Sequence, residues 1–330
     1  MATTIKDIAK VTHLTPSTVS RALSNKGKLS QKTKNKILKT AKKLNYHKNI
    51  NAVDLVTQSS HIINILAPSL ETNSVNEMIK GLEEEARKYN YETIIIHTQN
   101  RQNFFDQKKA LQIAISRHVK GIAIISTELT KENQKILLNS GIPSIFIGTS
   151  SIKNKFPFIN TNDFEIGCKA ATYLLKKGYQ KIAFVGIDKN SYMGQKRIQG
   201  YQKAFKDFHL KAKSSWIKPG NFTYQDGLNA IENFGKKPAV NAVIAASDLV
   251  AIGVLNQCLT YSLKVPQDLA IISLDGTQLD DIVHPEITSI IQPFKAMGQE
   301  GIKELLNIKE STYTNTNQYL SFKIKKQQSA

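Results

Sequence analysis

Over most of the chain, short apolar runs alternate with longer stretches in which apolar residues recur every three or four positions. The runs are Ile62–Ala67, Thr93–His97, Gly121–Ser126, Ser144–Gly148, Lys181–Gly186, Ala242–Ala246 and Ala270–Leu274. Runs this short and this apolar predict strands buried on both faces, as in a parallel sheet. Helical periodicity covers 75–90, 103–117, 130–139, 164–177, 193–208, 223–234 and 248–260. Alternation of this kind predicts parallel α/β sheets with right-handed crossovers, and the number of units suits two similar lobes better than one sheet. Ligands of such sheets bind beyond the carboxyl ends of the strands, so two facing lobes predict a cleft. Polar residues near the strand ends are its candidates. Arg197, Ser247, Asp248, Asp275 and Asn162 can fork hydrogen bonds to vicinal hydroxyls, and Phe222 can stack on a sugar face. Capping is the simpler role for Asp248, which stands between a strand and a helix. Arg197 fits an exposed helix face equally well.

The first sixty residues follow another pattern. Ile5-Lys6-Asp7-Ile8-Ala9-Lys10 is followed by Leu14-Thr15-Pro16-Ser17-Thr18-Val19-Ser20-Arg21-Ala22-Leu23. Thr15 is an N-cap residue type and Pro16 is favoured at the first helical position, so two short helices meet at a tight turn. A third helix is expected from Gln31 to Leu44, capped by Ser30. Its stripe Ile37, Leu38, Ala41, Leu44 is expected to pack on Ile8, Val19 and Leu23, leaving Lys32, Lys34, Lys36 and Lys39 towards solvent or phosphate. The second helix of a helix-turn-helix lies in the DNA major groove, where Arg21 suits a bidentate guanine contact, Ser17 can donate or accept, and Pro16 can touch a thymine methyl.

Charge agrees. The chain of 330 residues has a formal net charge of +19. Residues 1–60 hold twelve lysines and arginines against Asp7 and Asp54, a net of +10. About half the excess thus lies in under a fifth of the chain, as expected of a phosphate-facing domain. The start, Met-Ala-Thr-Thr-Ile-Lys, holds no apolar signal segment, and no run approaches the roughly 18 apolar residues of a membrane helix. Cys168 and Cys258 stand far apart, which suggests neither a disulfide framework nor a zinc site and fits a reducing cytoplasm. Walker loop, dinucleotide glycine pattern, nucleophile elbow and histidine cluster are all missing, so an enzyme is not expected, nor is a cofactor.

Ile5-Lys6-Asp7-Ile8-Ala9, Ser17-Thr18-Val19-Ser20-Arg21-Ala22-Leu23, Leu29-Ser30 with Thr33, and Leu44-Asn45-Tyr46 together resemble the lactose/galactose-repressor (LacI/GalR) family of bacterial transcription regulators. Further matches in the body are Val119-Lys120-Gly121-Ile122, Gly141-Ile142-Pro143, Lys181–Gly186, Ser247–Gly253 and Val265-Pro266-Gln267-Asp268. The resemblance implies an all-α helix-turn-helix head on a two-lobed, periplasmic-binding-protein-like α/β body with two parallel sheets. It implies a head at 1–47, a hinge or linker helix at 48–61 and an effector-binding and dimerisation domain at 62–330. One lobe is expected at about 62–160 and 292–322, the other at about 163–288. Candidate DNA contacts are Thr15, Pro16, Ser17, Ser20, Arg21, Asn25 and Ser30, with Asn49, Ala52 and Leu55 from the linker. Leu55 falls where the family wedges a leucine into the minor groove. Candidate effector contacts are Ser69, Thr72, Asn162, Arg197, Phe222, Ser247 and Asp275.

The chain departs from the family pattern in places. His13 stands where the turn usually has glycine, a substitution that strains a positive φ. Lys48, Val53 and Asp54 alter the linker. Thr161-Asn162, Thr72-Asn73-Ser74-Val75 and Ser247 alter the pocket, which should be more polar than usual. The expected partners are a palindromic double-stranded operator, a sugar or sugar phosphate, and a second copy of the chain; no membrane is expected. The tail 312–330 lacks the leucine heptads of a tetramer, which points to a dimer. A regulator dependent on a co-repressor or a partner protein is the alternative, and a solute-binding protein a more remote one.

Overall fold

The computed structural model describes residues 3–24, 27–46, 60–68, 72–98, 104–117, 119–150, 156–308 and 317–330. It divides into two compact units, Met1–Ser59 and Ser60–Ala330.

The head has three helices: α1 (Ile5–Thr12), α2 (Pro16–Leu23) and α3 (Gln31–Lys43). A capping box opens α1: Thr4 Oγ1 accepts from the Asp7 N–H (3.4 Å), and the Asp7 carboxylate accepts from the Thr4 N–H (2.9 Å). His13 ends it in the left-handed conformation (φ 54°, ψ 41°), so the strain expected of a side chain there is present. Ile8, Val19 and Ile37 are fully buried, with Ala9, Ala22 and Ala41 beside them and Leu14, Leu23, Leu44 and Tyr46 around the edge. One expectation needs correction. Leu38 is 44% exposed, because the core stripe of α3 runs through Ile37 and Ala41 and places position 38 beyond its margin. Lys36 is exposed, and its Nζ also donates to Thr12 O (3.0 Å), supplying one donor to the last carbonyls of α1.

The body contains two six-stranded sheets among the described residues. In the first, β1 (Ile62–Ala67), β2 (Glu92–His97), β3 (Gly121–Ile125), β4 (Ser144–Ile147), β5 (Phe158–Asn160) and β11 (Asn317–Tyr319) lie in the order β11-β5-β4-β3-β1-β2. In the second, β6 (Ile182–Ile187), β7 (Ile217–Pro219), β8 (Ala242–Ala245), β9 (Ala270–Ser273), β10 (Thr288–Ile291) and β12 (Lys323–Lys325) lie in the order β12-β10-β9-β8-β6-β7. Every pairing is parallel except β10 with β12. The helices α4 (Asn73–Lys88), α5 (Phe104–Ser116), α6 (Lys131–Asn139) and α11 (Phe294–Asn307) belong with the first sheet. The second carries α7 (Asp163–Lys176), α8 (Tyr192–Asp207), α9 (Tyr224–Phe234) and α10 (Asp248–Thr260).

The chain passes between the sheets three times: after β5, after β10 and after β11. These crossings are bonded to one another. Thr161 Oγ1 donates to Gln292 Oε1 (2.6 Å), Gln292 Nε2 donates to Leu274 O (2.6 Å), and the Leu320 N–H donates to Asn160 O (2.8 Å). Both Thr161 and Gln292 are buried. Past β12 the chain ends tucked against the second sheet, where the Ser329 hydroxyl donates to Ile271 O (2.7 Å) and accepts from the Thr288 N–H (2.9 Å). No helix among the described residues is long and apolar enough to cross a membrane.

Candidate functional site

Two surfaces carry the candidate residues, one in each unit. In the head, Thr15 caps α2: its hydroxyl accepts from the Thr18 N–H (3.2 Å) and is bonded to the hydroxyls of Ser17 and Thr18 (2.9 Å each). Pro16 at the first helical position completes the start signal. Thr15, Pro16, Ser17, Ser20 and Arg21 are all exposed on α2, while Val19 and Ala22 face the core. Arg21 is tethered only lightly, its Nε donating to Ser17 O at 3.4 Å. An exposed helix start with hydroxyls, a proline ring and one guanidinium is what a base-reading helix offers. Ser30 is exposed too but caps α3, accepting from the Thr33 N–H (3.2 Å). Asn25, Asn49, Ala52 and Leu55 lie outside the described residues.

In the body, a cavity of about 80 Å³ lies between the two sheets at the carboxyl ends of their strands. Four of the expected residues line it: Thr72, Arg197, Phe222 and Asp275. Ser69 lies outside the described residues. Two other candidates, Asn162 and Ser247, are engaged elsewhere, both for the same physical reason. Asn162 does not line the cavity; its Oδ1 accepts from the Glu165 N–H (3.2 Å) and caps α7. Ser247 caps α10, accepting from the Val250 N–H (3.3 Å), and donates to Phe222 O (2.9 Å). Short polar residues at a strand-to-helix junction satisfy orphan helix donors before they reach a ligand. Ser247 still matters to the site. Phe222 holds a left-handed backbone (φ 65°), unusual for a bulky residue, and is clamped there by Ser247 and by its own N–H to Gly186 O (3.1 Å).

The role expected of Asp248 also changes, since Ser247 takes the cap. The Asp248 carboxylate accepts instead from the Ser273 hydroxyl, the Gly276 N–H (3.1 Å) and the Thr277 N–H (2.8 Å), fixing the loop that presents Asp275. Asp280 sits buried beside it. Burial and the Asp248 carboxylate push Asp280 up to about 10, so at neutral pH it keeps its proton.

Residues that the sequence did not single out, Asp163, Asn160 and Glu128 among them, complete the surroundings of Arg197 and the cleft. Asp163 and Arg197 form a buried pair, Nε to Oδ1 at 3.0 Å, and Asn160 Nδ2 donates to the other Asp163 oxygen (3.0 Å). Burial pushes the Asp163 carboxyl up, and the guanidinium and the two hydrogen bonds oppose it. The pair exists because α7 and α8 cross with their backbones in contact at Gly167 and Gly200; a Cβ on either would lie 2.0 Å from a carbonyl oxygen of the other helix. Glu128, on the loop after β3, reaches across to the second lobe and accepts from the Tyr192 N–H at the start of α8 (2.8 Å). Its outer face is exposed, yet its carboxyl is raised by burial against the cleft, with Asp188 and Asp163 adding to the effect and the N–H groups of Tyr192 and Met193 opposing it. Asp188, Gln292 and Phe294 also line the cavity. Of these, Asp163 alone carried a readable signal, as the acid opening a helix after a strand. Among the described residues no cluster of side chains could hold a metal ion.

Comparison with known proteins places both units. Residues 4–49 match the family described as bacterial regulatory proteins, lacI family. Residues 60–326 match periplasmic binding proteins and sugar binding domain of LacI family. The HTH-type transcriptional regulator RegA of Clostridium acetobutylicum is 31% identical over 312 residues, covering 93% of each chain. Catabolite control protein A of Staphylococcus xylosus is 29% identical over 307 residues, covering 92% of each. The lac repressor dimer solved with operator and the anti-inducer ONPF superimposes with a TM-score of 0.86 at 20% identity, over 100% of this chain and 99% of that one. These relatives are DNA-binding regulators rather than enzymes, and the chain belongs to the LacI family of bacterial regulatory proteins.

Proposed function

We propose that this regulator represses a carbohydrate-utilisation operon, binding a palindromic operator as a homodimer and leaving it when a sugar enters the cleft between its lobes. The observation that carries the reading is the way the lobes are joined. Glu128 on one lobe is bonded to Tyr192 on the other, and the crossings are tied through Thr161 and Gln292. At about 80 Å³ the cavity is far below the roughly 300–1,000 Å³ of a ligand pocket, so a sugar enters only as the lobes part. Occupancy is thereby converted into an angle between two rigid bodies, the kind of bistable element that couples a ligand to a distant surface.

The second copy has a surface to meet. Leu259 on α10 is 60% exposed and Ile282 is 71% exposed, just past the turn Gln278–Asp281 that packs on that helix. Tyr224, bonded to Asn256 of α10 (2.9 Å), extends the same face. A patch of this kind suits a self-complementary twofold contact.

The test is fluorescence anisotropy of the full chain on a palindromic operator candidate from its own upstream region, titrated with a panel of sugars. Release by one compound supports the reading; by linkage the operator must then weaken that sugar's binding by the same factor. Tight binding untouched by the whole panel overturns it. On the same operator, Arg21→Ala should cost about 1–3 kcal/mol and relax preference at one base pair. A uniform loss across all sequences would mean that Arg21 touches phosphate instead.

A further inference from the structure

A second space adjoins the cleft. A groove of about 560 Å³ has walls from both lobes: residues of 73–77 at the start of α4, 276–278 after β9, and 292–299 at the start of α11. Each wall continues into the inner cavity, the first through Thr72 and Ser74, the second through Asp275, the third through Gln292 and Phe294. Three walls running from one space into the other make the groove an extension of the cleft, with Gln292 and Phe294 as the partition they share. Its volume lies within the roughly 300–1,000 Å³ of a ligand pocket, whereas the inner cavity has about 80 Å³. Amides supply most of its polar lining: Asn73 and Asn76 from α4, Gln278 from the loop after β9, and Gln299 from α11. Among the described residues none of these four has a side-chain hydrogen bond. Four amides with no partner in the chain, carried by three separate segments, thus converge on one ligand-sized space.

We infer that the effector is an oligosaccharide of at least two units, with one unit in the inner cavity and the next in this groove, its hydroxyls bonded by Asn73, Asn76, Gln278 and Gln299. This rests on the reading of the cleft as a sugar site. Each amide both donates and accepts, so it meets a hydroxyl in either role. Phe294 lines both spaces and offers an apolar ring to a sugar face. A single sugar occupies the inner cavity alone and leaves the groove to water. A second unit joined to the first adds contacts with both lobes and pays no second loss of translational freedom. The groove thereby sets the length of ligand to which the regulator answers.

The experiment is calorimetry on the full chain with glucose against cellobiose and maltose, and galactose against lactose and melibiose. In any set that binds, a disaccharide is expected to bind about tenfold or more tighter than its parent sugar. Asn76→Ala with Gln278→Ala should cut that advantage about fivefold. Disaccharides that bind no tighter than their parents overturn the two-unit ligand while leaving the sugar site standing. An advantage that persists in full in the double variant overturns the assignment of the groove. No binding by any of these sugars, with operator binding intact, overturns the sugar reading itself, and the two-unit ligand falls with it. Asn76 and Gln278 are both exposed, so the double variant should keep the circular dichroism and the operator binding of the wild type.

Discussion

His13 holds a backbone conformation that disfavours a side chain, with φ at 54° and its N–H closing the end of α1. His13→Gly should stabilise the head by about 0.5–1 kcal/mol, relief of the left-handed strain outweighing the extra freedom of glycine in the unfolded chain. Slower hydrogen exchange at the amides of Ile8 and Val19 in the full chain would show it; faster exchange would refute it. Asp280 makes the opposite kind of residue. Its carboxyl titrates at about 10 in the folded protein and near 3.8 when exposed. Between those values the unfolded chain has released the proton and the folded chain keeps it, so stability falls as pH rises through the window. Asp280→Asn needs no such proton and should raise stability at pH 7 by about 1–3 kcal/mol, with a gain that grows from pH 5 to pH 9. Urea melts that shift in parallel at both pH values would rule this out. The sequence showed the strain at His13, since a family glycine was replaced there. It was silent on Asp280, whose meaning depends on Asp248, a neighbour 32 positions away that only the fold supplies.

Among the elements, those with a clear period were legible. All seven apolar runs are strands, and the seven helices expected between them form within a few residues of their expected ends. What escaped notice was short or atypical. The strands β5, β7, β11 and β12 have three residues each, too few for a pattern to register, and the four of β10 include Thr288 and Ser289, which break the apolar run. Helix α11 carries Gly298 and Gly301, which lower helix propensity; Gly298 lets its backbone approach α4, where a Cβ would lie 2.0 Å from Met78 O, and Gly301 makes room for the Ile147 side chain of β4. Close crossings are thus a recurring device of this body, and the one between α7 and α8 sets the cleft. Gly200→Ala should cost about 1–3 kcal/mol by forcing α8 off Phe164, and should weaken effector binding by parting Asp163 from Arg197. An unchanged urea midpoint would show that the helices slide apart freely. For the site, Asn162 and Ser247 are taken up by helix capping, a demand on short polar side chains at strand-to-helix junctions that the sequence pattern does not distinguish from ligand contact.

For the whole molecule, the proposed dimer is the quantity to perturb. Leu259→Glu with Ile282→Glu places like charges on both sides of a twofold contact. Light scattering should then report a monomer with at least tenfold weaker operator binding, since half-sites no longer act together. A stable dimer would move the interface elsewhere. The three crossings carry a different consequence, for how the protein is made. Each sheet takes an edge strand from the last fourteen residues, β11 for one and β12 for the other. Strands that meet at the sheet edge are more than 150 positions apart in one case, as Asn317 pairs with Phe158. During synthesis at about 5–20 residues per second, both lobes therefore wait, each with an open edge, until residues 317–325 have been made. That interval is when unpaired strand edges are most open to pairing with another chain. Neither lobe exists as a continuous gene segment, so recombination between relatives can exchange the head as a cassette but cannot exchange one lobe without breaking the other.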